Sequence, residues 1–193
     1  MKTNLSEAKK LLVVVDLVNG FVREGAMADP YIQHIIPESE RRVRKFLKQG
    51  DQVVYVREWH KDDCTEFKRY PKHCMAETFE AEMVEELTKY EDKVIIQKKN
   101  STSAMFAYGF EEILKSMKKL EEVVIIGCCT DICVLNLAIP MKNYFDEQDR
   151  DIAIVIPKNA VETYDAPIHP RDKYNEIAFK LLKQAGIKIV NNY

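Results

Sequence analysis

The stretch VVIIGCCTDICVLNLA, residues 123–138, changes character twice. A β-branched apolar run breaks at Gly127, passes two adjacent cysteines and Thr-Asp, and meets Cys133 just where apolar residues begin to recur at helical spacing. That is a buried strand turning into a helix. Similar short apolar runs stand at 11–16 (LLVVVD), 52–57 (QVVYVR), 94–97 (VIIQ) and 152–156 (IAIVI), with a weaker one at 187–190. Strands buried on both faces read this way. Between them, residues 37–48, 80–89, 109–119, 131–145 and 170–184 carry helical periodicity with mixed charge. Alternating strands and helices predict right-handed crossovers and a three-layer α/β/α sandwich around a mostly parallel sheet of about six strands, in a single domain spanning 1–193.

Composition narrows the function. Lys plus Arg number 29 and Asp plus Glu 31, a net charge of −2, with no long basic run. That argues against nucleic acid or an anionic membrane surface as the main partner. No apolar run reaches the roughly 20 residues of a bilayer span, and the start, MKTNLSEAKK, reads without an apolar signal region. A cytoplasmic protein is expected. Five cysteines, three of them crowded into one corner, suit free thiols better than a disulfide framework.

In a parallel sheet, sites form beyond the carboxyl ends of the strands. Asp16, Glu58, Lys98 or Lys99, and the 127–133 corner all stand there. Asp131 is placed to cap the helix, which would put Cys133 in a first turn whose amides and dipole stabilise a thiolate. Cys128 and Cys129, at the strand end, have the ordinary reading of small core residues. An acid, a lysine and a helix-N-terminal cysteine can converge on one point, the acid taking the thiol proton and the lysine holding the thiolate. The long irregular segment REWHKDDCTEFKRYPKHC supplies a second cluster, Glu58, His60, Glu66 and His73, whose N and O donors suit a divalent transition metal: zinc, manganese or iron. A competing selection, His60, Cys64, His73 and Cys74, has spacings unlike a zinc finger.

These residues together resemble the cysteine hydrolases of the isochorismatase-like superfamily, most closely the nicotinamidases. The resemblance runs from LLVVVDLVNGF through PKHCMAET and KKNSTSAMF to GCCTDICVLNLA. It implies that Cys133 is the nucleophile, Asp16 the general base and acid, and Lys99 the third member, with Ser103 and Phe106 following the lysine as in the family. It further implies a non-proline cis peptide before Thr130 and an oxyanion hole from the amides of Cys129 and Cys133. It makes Glu58, His60, Glu66 and His73 the ligands of a metal, zinc above all, that binds a pyridine nitrogen beside an aromatic wall of Phe21 and Tyr70. The implied reaction is hydrolysis of nicotinamide through a thioester, in a homo-oligomer. Glu58 stands where the family usually has Asp, Glu66 where many members have His, Val18 where a polar residue is common, and Ala76-Glu77 where Gly usually precedes the threonine. Other readings are hydrolysis of a different small amide or carbamoyl compound, and a non-catalytic binding module; isochorismate hydrolysis, which does not need the cysteine, fits less well.

Overall fold

The computed structural model describes residues 5–193, so the first four residues of the N-terminal stretch lie outside it. In chain order the strands and helices are β1 (Lys10–Val15), α1 (Asn19–Val22), α2 (Ile36–Gln49), β2 (Gln52–Glu58), α3 (Glu85–Thr88), β3 (Ile95–Lys99), α4 (Phe110–Ser116), β4 (Glu122–Cys128), α5 (Leu135–Asp146), β5 (Ala153–Pro157), β6 (Val161–Glu162), α6 (Arg171–Gln184) and β7 (Lys188–Val190). The strands form one seven-stranded sheet of order β3-β2-β1-β4-β5-β7, with β6 paired to β4. Every pairing within it is parallel.

Successive side chains of a strand point to opposite faces, and here both faces are covered. Leu11, Val13 and Val15 of β1 pack with Phe110 and Leu114 of α4, Leu137 and Met141 of α5, and Leu182 of α6. Leu12 and Val14 pack with Val22 of α1, Val43 and Phe46 of α2, and Leu87 of α3. That is why β1 reads as an unbroken apolar run. In the 139–145 segment of α5, Met141 and Phe145 turn into the core.

Two boundaries depart from the periodicity. The helix expected over 80–89 is a 3-10 turn at Phe79–Ala81 followed by the single turn of α3. Tertiary hydrogen bonds outcompete helix there: the Val84 amide donates to the Leu17 carbonyl, Met83 bridges Val18, and Arg57 Nε donates to the Ala81 carbonyl. The two-residue β6 is too short to register in a pattern. Pro140 sits inside α5. Its missing N–H leaves the Asn136 carbonyl free, and the Ser103 hydroxyl donates to that carbonyl at 2.6 Å.

The chain leaves β1 toward β2 on one side and β4 toward β5 on the other, so the switch point of the sheet lies between β1 and β4. At the end of their pairing Gly127 stands opposite Val15. Gly127 has φ +115°, and a Cβ there would lie 2.0 Å from the Val15 carbonyl oxygen. Gly127→Ala is expected to destabilise the fold by more than about 2 kcal/mol, combining left-handed strain with a backbone clash; a shift of the urea midpoint checks this.

Candidate active site

Asp16 follows β1 directly. It leaves the strand at φ +50°, in the left-handed region that Asp tolerates better than most residues, while its amide donates to the Val56 carbonyl. Lys99 ends β3 two strands away, and Cys133 lies in the π-helical turn Thr130–Val134 that links β4 to α5. The three side chains meet in the interior. Lys99 Nζ is 2.9 Å from Asp16 Oδ2 and 3.6 Å from Cys133 Sγ, and it also pairs with Glu58 Oε2. Burial pushes the Asp16 carboxyl above the usual carboxylate range, against the pull of the Lys99 charge. Burial alone would lower the Lys99 ammonium, but Asp16 and Cys133 more than offset it and the net direction is upward. The Cys133 thiol is pushed well up by burial, with Lys99 drawing it down and Asp16 raising it further. The resting cysteine is therefore a thiol beside a carboxylate made more basic than usual.

The second cluster adjoins the first through Glu58. Glu58, His60 and His73, all buried, each present one donor atom within 4.8 Å of the others. His60 Nδ1 faces Asn100 Oδ1 at 3.1 Å and His73 Nδ1 faces the Pro71 carbonyl at 2.8 Å. Both acceptors place the ring proton on Nδ1 and leave Nε2 as a lone pair. His60 Nε2 is buried without a hydrogen bond although Glu58 Oε1 lies 2.8 Å away. Acid and imidazole are thus adjacent without a hydrogen bond between them. Burial lowers the His60 pKa, favouring the neutral ring. Such a donor set fits a divalent ion.

Glu66 stands one step back from these three. Its Oε1 accepts from the Thr102 amide, and its Oε2 is 3.9 Å from His60 Nε2. The alternative Cys2His2 set does not assemble. Cys64 Sγ packs behind His60 against Nδ1, and the metal-compatible clusters among the described residues contain neither Cys64 nor Cys74.

A cleft of about 640 Å³ opens onto both clusters. Phe21, Tyr70, Glu58, Glu66, His73, Cys129 and Cys133 line it. Asn100, the Tyr164 wall and the Asp29–Arg171 ion pair at the cleft are the parts that sequence reading missed. Asn100 follows Lys99 and was within reach of the strand-end rule; Tyr164 and Arg171 carry no local signal.

Two expectations for the corner need correction. The cis peptide joins Cys128 and Cys129, one bond earlier than the one before Thr130. β4 stays paired through Cys128, opposite Glu162 of β6, and helical backbone starts at Thr130, so Cys129 alone makes the connection. Asp131 does not cap. The cap position is Cys129, with no side-chain cap bond, and the Asp131 carboxylate is held by Thr163 Oγ1 and His169 Nε2.

Fold and site together define a three-layer α/β protein with a buried acid, lysine and cysteine at its sheet switch point. The Isochorismatase domain profile matches residues 10–191, and the chain belongs to that family. Nicotinamidase 1 of Arabidopsis thaliana is 27% identical over 209 residues, covering 93% of this chain and 84% of its own. Among solved structures, the pyrazinamidase of Pyrococcus horikoshii in complex with zinc is 27% identical at TM-score 0.78, covering 96% of this chain and 99% of its own. A nicotinamidase of Bacillus subtilis is 28% identical at TM-score 0.78, covering 94% and 99%. The nicotinamidase homologues are amide hydrolases. Among the described residues no helix is long and apolar enough to cross a membrane.

The buried ammonium yields a direct test. Lys99→Met would leave the Asp16 and Glu58 carboxylates without their shared cation, and a loss of about 3 kcal/mol is expected in urea unfolding of metal-free protein. Adding Glu58→Gln to that variant is expected to recover part of the loss.

Proposed function

We propose that the protein hydrolyses nicotinamide to nicotinate and ammonia through a thioester on Cys133. The observation that carries this is the position of Lys99 Nζ, 2.9 Å from Asp16 and 3.6 Å from Cys133 Sγ, beside the Glu58, His60 and His73 cluster in one cleft. Asp16 takes the thiol proton while Lys99 offsets the charge of the thiolate. The thiolate adds to the carboxamide carbon. The amides of Cys129 and Cys133 receive the developing oxyanion, while those of Ile132 and Val134 donate to the Cys129 carbonyl. Asp16 returns its proton to the departing ammonia, then deprotonates a water that attacks the thioester, and the released thiol is reprotonated.

Glu58, His60 and His73, with Glu66 alongside, are the residues that would hold a divalent ion, zinc first. Bound there it supplies a Lewis-acid anchor for a heteroaromatic nitrogen. Phe21 and Tyr70 would flank the ring of the substrate. The nicotinamidase names of the homologues and the zinc bound by the Pyrococcus pyrazinamidase support this reading. A second reading is favoured by the size of the cleft: about 640 Å³ falls in the range that holds drug-sized ligands, which suits a larger amide or carbamoyl compound.

Ammonia release from nicotinamide by purified protein tests the proposal. Cys133→Ala is expected to lower kcat by about 10⁴-fold or more, and prior chelation is expected to lower release by wild type. A folded, metal-loaded protein that releases no ammonia from nicotinamide would remove this substrate in favour of larger amides. Metal analysis gives a separate check. His73→Ala is expected to weaken metal binding at least about tenfold and Glu66→Ala to weaken it less, while Cys64→Ala and Cys74→Ala keep the wild-type content; loss of metal from the cysteine variants alone would overturn the ligand set.

A further inference from the structure

The nucleophile turn carries a carboxylate two residues before Cys133, and something outside the turn holds it. His169, buried between β6 and α6, lies 38 positions along the chain from Asp131 and reaches its Oδ2 at 2.8 Å. The other ring nitrogen, Nδ1, faces the Tyr164 carbonyl at 3.1 Å. The Nε2–H donates to the Asp131 carboxylate, the acceptor on that side of the ring. The ring is stacked between Tyr164, centroids 3.9 Å apart and 9° from parallel, and Tyr174, at 3.6 Å and 26°. Fully buried Thr163 donates its hydroxyl to the second Asp131 oxygen, and its carbonyl accepts from Arg171 Nε.

A carboxylate in the first turn of a helix is ordinarily drawn to the free amides of that turn. Here those amides are the ones offered to the oxyanion, and a capping Asp131 would compete for them and add negative charge beside Cys133. We propose that His169, together with Thr163, is a positioning group for the nucleophile turn: by holding the Asp131 carboxylate outward it keeps the amides of the turn open to the substrate. This rests on Cys133 being the nucleophile.

The sequestering role differs in sign from that of a simple strut. If His169 and Asp131 merely brace the turn, His169→Ala, Asp131→Ala and the double variant lose activity alike. If His169 sequesters Asp131, removing the carboxylate cures the absence of the histidine. The expected result, with nicotinamide as substrate, is a fall in kcat of about tenfold for His169→Ala, less than the loss of a whole oxyanion donor, with a smaller change in KM. Asp131→Ala falls less, the double variant rises to the Asp131→Ala level, and His169→Gln, which keeps a donor, stays near wild type. Thr163→Val, alone and with Asp131→Ala, repeats the pattern more weakly and serves if His169→Ala does not fold. The rate of Cys133 alkylation by iodoacetamide, followed by the mass of its peptide, gives the same ordering without any substrate. A double variant no faster than His169→Ala in either assay, or a His169→Ala protein as fast as wild type, overturns the proposal while leaving the nucleophile in place. Full activity in Cys133→Ala would instead overturn the nucleophile assignment.

Discussion

The buried ammonium of Lys99 is the interaction on which the rest of the centre depends. An isolated charge in that interior would be strongly disfavoured, yet two carboxylates, Asp16 and Glu58, reach it from β1 and β2 and the Cys133 sulfur reaches it from beyond β4. Each of these groups would be costly alone. Together they form a small electrostatic core that must assemble for any member to be tolerated, which links the folding of the strand ends to the assembly of the site.

Glu58 joins the two halves of that centre. One oxygen lies against His60 Nε2 and the other pairs with Lys99, so a single side chain spans the imidazole cluster and the cysteine cluster. The two methylenes of the glutamate give the reach to serve both. A group that changes the charge at His60 and His73 is thereby felt at Lys99 and, through it, at Asp16 and Cys133.

Sheet order explains why these residues meet at all. Neighbouring β1 and β4 feed connections in opposite directions, which opens a crevice above their carboxyl ends. Gly127 lets the strands approach there, Asp16 turns inward in a left-handed conformation, and the turn after Cys129 brings Cys133 over the crevice. The segment after β6 then closes one side, with Tyr164 on the cleft and His169 behind it.

The sequence by itself determined the layers and the strand ends. Period and β-branching need only local information, and LLVVVD, QVVYVR and VVII carry it without ambiguity because both faces of each strand are buried. The same logic marked Asp16, Lys99 and the corner that carries Cys133, all at the carboxyl ends of strands, and the resemblance supplied their implied roles. Tertiary structure alone decided what depends on partners distant in the chain. Residues 80–89 lost most of their helix to hydrogen bonds with the loop after β1 and with Arg57, and the cis bond joins Cys128 to Cys129, at the end of the pairing between β4 and β6. Asp131 looked like a cap because capping is local, but a buried histidine and threonine far along the chain offer its carboxylate better partners than the turn does. Hydrophobic period is written residue by residue, whereas the destination of a charged side chain is settled by whatever the completed fold brings beside it.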